Sequence, residues 1–290
     1  MRDMNIGVIG LGIIGSRMAA NWTKAGHTVL GWNRTRASAA ELGIALAATP
    51  REVVSRSDVI MIVVADPPAL DRVVAGEDGV AAAPLAGKVV LNASTVGPAD
   101  NRRAAAAVRR AGGDFVEVPF TGSKGAAEAG KLIFFAGGET ATVRRLEPLL
   151  LQIGQRVVYF GSVGKAADAK LVFNLMIANQ MEAMAEGFAF ARKAGLAPDR
   201  FMEAYRLNAG YSVLADLKTP KILGNDFTPH FSLKHMDKDI RLALERASEL
   251  KLDLPLTCRL KDLFTEAMAR GWGEDDFAVL YRQVAEKSGL

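Results

Sequence analysis

Ile6-Gly7-Val8-Ile9-Gly10-Leu11-Gly12-Ile13-Ile14-Gly15 is a short strand-like run that passes straight into glycines spaced G-x-G-x-x-G, with a helical pattern starting at the third. In that context each glycine has its own task. Gly10 permits the tight turn, Gly12 lets the backbone approach a pyrophosphate, and Gly15 lets helix and strand pack closely. The amides opening the helix would then receive the phosphates. The spacing by itself also suits a glycine turn without ligand. The strand before it and the helix after it favour a dinucleotide held by Gly10, Leu11, Gly12, Ile13, Ile14 and Gly15.

Moving outward, apolar runs recur at Ile6 to Ile9, Thr28 to Trp32, Val59 to Val64, Lys88 to Asn92, Phe115 to Val118, Leu132 to Phe135 and Val157 to Phe160, separated by Ala-rich, charge-bearing segments. Strands alternating with helices predict a parallel sheet covered on both faces by right-handed crossovers, that is, an α/β fold with a doubly wound, Rossmann-type sheet. After Gly164 the pattern changes. Residues 165–193 contain no proline and one glycine, Gly187, enough for a helix of about 43 Å. Helical segments follow near 198–208, 211–222, 232–250 and 256–270, punctuated by Pro198, Pro220, Pro229 and Pro255. The expected division is residues 1–163 as a dinucleotide-binding domain and 164–290 as an all-helical domain that includes the interdomain helix 165–193.

The composition narrows the function classes. With 290 residues, 50% hydrophobic and 23% charged, the chain is long enough for two folded domains and too apolar to be disordered. One cysteine, Cys258, excludes an internal disulfide and argues against a thiolate metal cluster, as suits a reducing cytoplasm. Three scattered histidines suggest no metal cage. The net charge of +4 comes from single residues and pairs such as Arg102-Arg103 and Arg144-Arg145, with no basic run, so nucleic acid is not the expected partner. The longest apolar stretches fall short of the roughly 18 residues that span a bilayer, and Ile6 to Ile9 already reads as a strand, so neither a membrane segment nor a signal peptide is expected.

Three further features carry chemistry. The second strand ends in Asn33-Arg34-Thr35, where an NAD site usually has an acidic residue for the ribose hydroxyls. A neutral Asn33 removes the repulsion, Arg34 can fork onto a 2′-phosphate and the Thr35 hydroxyl can donate to it, which favours NADP(H). Arg34 as a solvated helix-start residue is the alternative. Next, Lys170 and Asn174 are four residues apart on the long helix and share a face. Leu171 to Met181 is uncharged over eleven residues, so this part of the helix is expected to be buried on most sides, with a partly desolvated lysine suited to general acid work. Finally, Pro119-Phe120-Thr121-Gly122-Ser123-Lys124-Gly125 follows the strand at Phe115 to Val118. Small residues beyond a strand's carboxyl end can offer amides and hydroxyls to a carboxylate, although an ordinary loop would look similar.

Together with Phe231-Ser232-Leu233-Lys234-His235-Met236-Asp237-Lys238-Asp239, these segments make the chain resemble the β-hydroxyacid dehydrogenases over nearly its whole length. The similar branch contains the glyoxylate/succinic semialdehyde reductases and 4-hydroxybutyrate dehydrogenases. The resemblance implies Lys170 as proton donor or acceptor, with Asn174 fixing it or the substrate. It implies Thr121, Gly122 and Ser123 for the substrate carboxylate, with Val64 and Thr95 at the cofactor. Phe231, Lys238 and Asp239 would close over the site, Lys238 near the cofactor and Asp239 near the lysine. A homodimer or homotetramer is implied too. Two positions depart from the family's usual pattern: Thr121 stands where Ser is usual, and Ala166 where Gly is usual. The related imine reductases generally lack a lysine at the helix position.

The expected activity is therefore NADPH-dependent reduction of a small carboxylate-bearing aldehyde, glyoxylate or succinic semialdehyde, to the hydroxyacid. The alternatives are a 3-hydroxyisobutyrate-type dehydrogenase working oxidatively and, in a different class, a non-catalytic NADP-binding scaffold.

Overall fold

The structure, a computed structural model, describes residues 3–35 and 43–290. The chain forms two compact units, Met1–Leu171 and Val172–Leu290.

In the first unit, parallel strands β1 (Asn5–Ile9), β2 (Thr28–Trp32), β3 (Ala45–Leu46), β4 (Val59–Ile62), β5 (Val89–Asn92) and β6 (Asp114–Glu117) lie in the order β3-β2-β1-β4-β5-β6. Helices α1 (Gly15–Lys24), α2 (Pro50–Ser55), α3 (Pro67–Ala75) and α4 (Pro98–Arg110) alternate with them. The order reverses direction between β1 and β4, and a ligand crevice opens at such a switch point, beyond the carboxyl ends of the strands.

Strand residues alternate between two cores. Ile6, Val8, Val59, Met61, Val89 and Leu91 pack with Met18 and Trp22 of α1 on one face. Ile9, Ile60, Ile62 and Val90 pack with Val53, Leu70, Val74 and Val108 of α2, α3 and α4 on the other. Burial on both faces is why these strands read as unbroken apolar runs rather than as alternating ones.

The sheet is not wholly parallel, contrary to expectation. After β6 come β7 (Phe120–Thr121), α5 (Lys124–Glu128), β8 (Leu132–Gly138), α6 (Thr140–Leu150) and β9 (Gly154–Gly161). β8 runs antiparallel to β6 and β7 and parallel to β9. The β6–β8 connection is spent on a two-residue strand and a five-residue helix, so it forms no crossover long enough to bring the chain back parallel. β3 and β7, two residues each, are too short to leave a periodic signal.

Helix α7 (Lys165–Lys193) has the expected bounds. The second unit adds α8 (Pro198–Leu207), α9 (Val213–Gly224), α10 (Leu233–Glu249), α11 (Pro255–Ala269) and α12 (Leu280–Lys287), around a core that includes Met181, Phe188, Ile222, Ile240 and Phe264. Helix α9, expected near 211–222, carries Pro220 within it, and Ser212 caps its start, accepting from the Ala215 amide at 3.4 Å. α12 was not expected.

The uncharged stretch of α7, Leu171 to Met181, is buried or half-buried at eight of its eleven positions. One face stays open: Val172, Phe173 and Met176 are 52%, 39% and 59% exposed. No helix among the described residues is long and apolar enough to cross a membrane.

Candidate active site

The glycine turn shows why each glycine is needed. Gly10 has φ +99°, and a Cβ there would lie 2.1 Å from the Val63 carbonyl oxygen. At Gly15 a Cβ would lie 1.9 Å from the Gly10 carbonyl oxygen, so helix–strand packing requires that glycine. Gly12 differs: among the described residues a Cβ would meet no atom within 4 Å. Folding does not demand glycine at this position, and the open space beside it leaves room for a pyrophosphate to approach the backbone. The first turn of α1 holds no acidic residue, and Ile14 provides no side-chain cap, so its leading amides remain suited to an anion. These residues fit a dinucleotide pyrophosphate. Leu11 contributes through its backbone only, because its side chain is buried against Gly31, where a Cβ would come within 2.5 Å.

At the end of β2, Asn33 is a brace as well as a neutral replacement for an acid. Its Oδ1 accepts from the Leu11 amide at 3.1 Å and its Nδ2 donates to the Thr35 carbonyl at 3.1 Å, tying the β2 end to the glycine turn. Arg34 and Thr35 are exposed. After β4 and β5, the Val64 amide donates to Ser94 Oγ at 2.9 Å. Asn92 Oδ1 accepts from the Ser94 amide at 3.1 Å and Asn92 Nδ2 donates to Asn101 Oδ1 at 2.8 Å. This buried chain locks together the segments bearing Val64 and Thr95, both half-buried. Its members Asn92, Ser94 and Asn101 escaped the sequence reading, although a polar Asn closing the apolar run Val89-Val90-Leu91 was a visible signal.

The segment 119–125 is more ordered than a loop. Thr121 belongs to β7 opposite Ile133, and Gly122 has φ +137° with Leu132 close by. Ser123 caps α5, accepting from the Ala126 amide at 3.4 Å, which leaves its hydroxyl proton free to donate. Just before this segment, Glu117 is fully buried at the end of β6. Its Oε1 accepts from the amides of Gly164, Ala166 and Ala167 at 2.8, 2.8 and 3.2 Å. Burial, resisted by those three amides, pushes its carboxyl up to about 7. The sequence reading missed Glu117 too, although a carboxylate within the apolar run Phe115 to Val118 was a visible signal. Lys170, half-buried, follows one turn later on α7.

In the second unit, Asn174 Nδ2 donates to Asp239 Oδ2 at 2.5 Å, and Lys238 Nζ lies 2.7 Å from Asp239 Oδ1, so these three predicted residues meet. Phe231 packs against His235, with ring centroids 6.0 Å apart, and His235 feels the charges of Lys238 and Asp239. The Phe231 amide and that of His230 donate to Asp276 Oδ2 at 3.2 and 2.8 Å, while Lys218 Nζ donates to Asp276 Oδ1 at 2.6 Å.

A doubly wound sheet with a pyrophosphate turn at its switch point, followed by a helical unit carrying polar side chains in contact, defines a nicotinamide-dinucleotide oxidoreductase. Comparisons agree on the class. A family model for the NAD binding domain of 6-phosphogluconate dehydrogenase matches residues 5–161, and one for the NAD-binding of NADP-dependent 3-hydroxyisobutyrate dehydrogenase matches residues 164–284. The chain belongs to the β-hydroxyacid dehydrogenase family, whose members act on the CH–OH/aldehyde couple. It is 34% identical to glyoxylate/succinic semialdehyde reductase 1 of Arabidopsis thaliana, over 97% of this chain and 98% of that protein. It is 33% identical to 2-hydroxy-3-oxopropionate reductase of Escherichia coli, over 96% of each. The solved structure of Mycobacterium tuberculosis 3-hydroxyisobutyrate dehydrogenase with L-serine superposes with a TM-score of 0.88 at 27% identity, covering 98% of this chain and 99% of that one.

Proposed function

We propose that this protein reduces a small aldehyde bearing a carboxylate, glyoxylate or succinic semialdehyde, using NADPH. The observation that carries the reading is that both ends of the chemistry hang from one strand end. β6 leads directly into Thr121-Gly122-Ser123, and through Glu117 it also holds the start of the helix bearing Lys170. The similarity to reductases named for these two aldehydes supports the substrate class.

The Thr121 and Ser123 hydroxyls and the local amides would hold the substrate carboxylate. A bound nicotinamide supplies the hydride to the carbonyl carbon. The Lys170 ammonium gives its proton to the carbonyl oxygen as negative charge develops there. Asn33, carrying no charge, and exposed Arg34 favour a 2′-phosphate, and NADPH in turn favours the reductive direction over 3-hydroxyisobutyrate-type oxidation. Asn174, Lys238 and Asp239 meet in one polar cluster of the second unit, and the family resemblance gives these residues a part in the reaction.

We also infer that the protein works as a homodimer or homotetramer. Phe190, Leu207 and Val213 of the second unit, 76%, 86% and 75% exposed, supply apolar surface suited to a second copy.

The test is a panel of aldehydes and hydroxyacids with both cofactors. Succinic semialdehyde with NADPH should give the highest kcat/KM, and butanal should be poorer by at least about tenfold, because the polar groups meant for the carboxylate stay unpaired. Equal kcat/KM for the two aldehydes would remove the carboxylate site from the reading.

A further inference from the structure

We propose that Glu117 is the positioning residue for the proton donor, setting the placement of Lys170 by gripping the start of α7 from the end of β6. The inference rests on the reading of Lys170 given above and assigns a role to a residue outside the expected site.

Three amides, those of Gly164, Ala166 and Ala167, converge on a single oxygen of one buried carboxylate, while its other oxygen, Oε2, has no hydrogen bond among the described residues. The grip is therefore one-sided and directional, and it acts on the helix's leading turn, whose amides have no partners within the helix. Lys170 lies three residues beyond Ala167, about one turn further along the same rigid helix. A slot has been left for the carboxylate: at Gly137 of the neighbouring strand β8, a Cβ would fall 2.5 Å from Glu117 Oε1. Ala166, where the family usually has glycine, is itself fully buried and is one of the three donors. Four residues after Glu117 the chain reaches Thr121, so one residue relates the carboxylate-binding segment to the proton donor. Glu117 makes no contact with the reacting atoms in this scheme. It acts through Lys170.

Geometry and charge can be separated by two mild variants. E117Q keeps an oxygen at the same reach and loses the charge, whereas E117D keeps the charge and withdraws the oxygen by about one bond length. If Glu117 positions Lys170, E117D lowers the single-turnover reduction rate by about 10²-fold, the usual result of an ångström-scale misplacement. NADPH affinity, read by fluorescence, stays within about twofold, and E117Q recovers to within about threefold of wild type. In a Lys170→Ala background, E117D then adds no further loss. Should E117D fail to fold, G137A, which crowds the same oxygen from across the sheet, provides the same comparison. The inference is overturned if E117D costs the same factor with and without Lys170, if it weakens NADPH binding in parallel with the rate, or if E117Q is as slow as E117D. A Lys170→Ala enzyme as fast as wild type would instead overturn the proton-donor reading itself, and the positioning role with it.

Discussion

Gly12 and Gly15 are three residues apart and identical in composition, yet they should fail differently. Gly15→Ala drives a methyl into the Gly10 carbonyl and should cost roughly 1 to 3 kcal/mol of stability, measured by urea unfolding. Gly12→Ala meets no atom of the described residues, so its melting curve should match wild type while the Kd for NADPH rises at least about tenfold, or about 1.4 kcal/mol. Arg34→Ala should raise the KM for NADPH by about tenfold or more and leave that for NADH unchanged, since the lost charge-assisted bond is made only to the 2′-phosphate. Parallel losses with both cofactors would show that Arg34 does not read the phosphate. Glu117 makes a prediction about pH. Its folded carboxyl titrates at about 7 against an ordinary 4.5, so the unfolded chain ionises first as pH rises. The stability it lends is complete below 4.5 and is lost as pH climbs to about 7, by about 3 kcal/mol. The difference in unfolding free energy between Glu117→Gln and wild type should grow by that amount across the same window. A flat difference would place the carboxyl's titration elsewhere.

Among the elements, the approach to α10 depends on a buried ion pair. Asp276 takes the amides of His230, Phe231 and Ala278 together with the Lys218 ammonium, which also lies 4.3 Å from the Phe277 ring centroid. Burial pulls the Lys218 ammonium below its ordinary value, opposed by Asp276. Removing one partner leaves the other charge buried and alone, so Lys218→Met should destabilise the protein by about 3 to 5 kcal/mol in urea titration. Neither residue was legible as important in the sequence, because Lys218 and Asp276 are 58 positions apart and each looks like an ordinary surface charge. Helix α7 was legible from end to end, since absence of proline over 29 residues is a local property. Which of its faces stays open was not: Val172, Phe173 and Met176 are exposed within an uncharged run whose other residues are buried or half-buried.

At the scale of the whole molecule, the exposed apolar side chains of the second unit should be covered by another copy. Sedimentation is expected to show a dimer or tetramer, and Leu207→Glu with Val213→Glu should shift it toward monomer while far-UV circular dichroism stays the same. A wild-type monomer at micromolar concentration would leave those residues as plain surface.

Most of the longer strands and helices, the glycine turn, the missing acid after β2 and the change to helices after Gly164 were legible in the sequence, because each is written in residues close together along the chain; β3, β7 and α12 were not. The sequence also displayed Lys170, Asn174, Lys238 and Asp239 as a family pattern. The fold had to be seen to show that β8 runs antiparallel, that Asn33 braces the turn as well as leaving it uncharged, and that Asn92, Ser94 and Asn101 lock two strand ends together. It alone revealed the grip of Glu117 on three amides 47 to 50 residues away. The physical reason is common to all of these. Periodicity and turn chemistry act over a few residues and leave a pattern, whereas a buried polar group takes whichever partner the folded backbone brings within about 3 Å, and that pairing leaves no trace in local sequence.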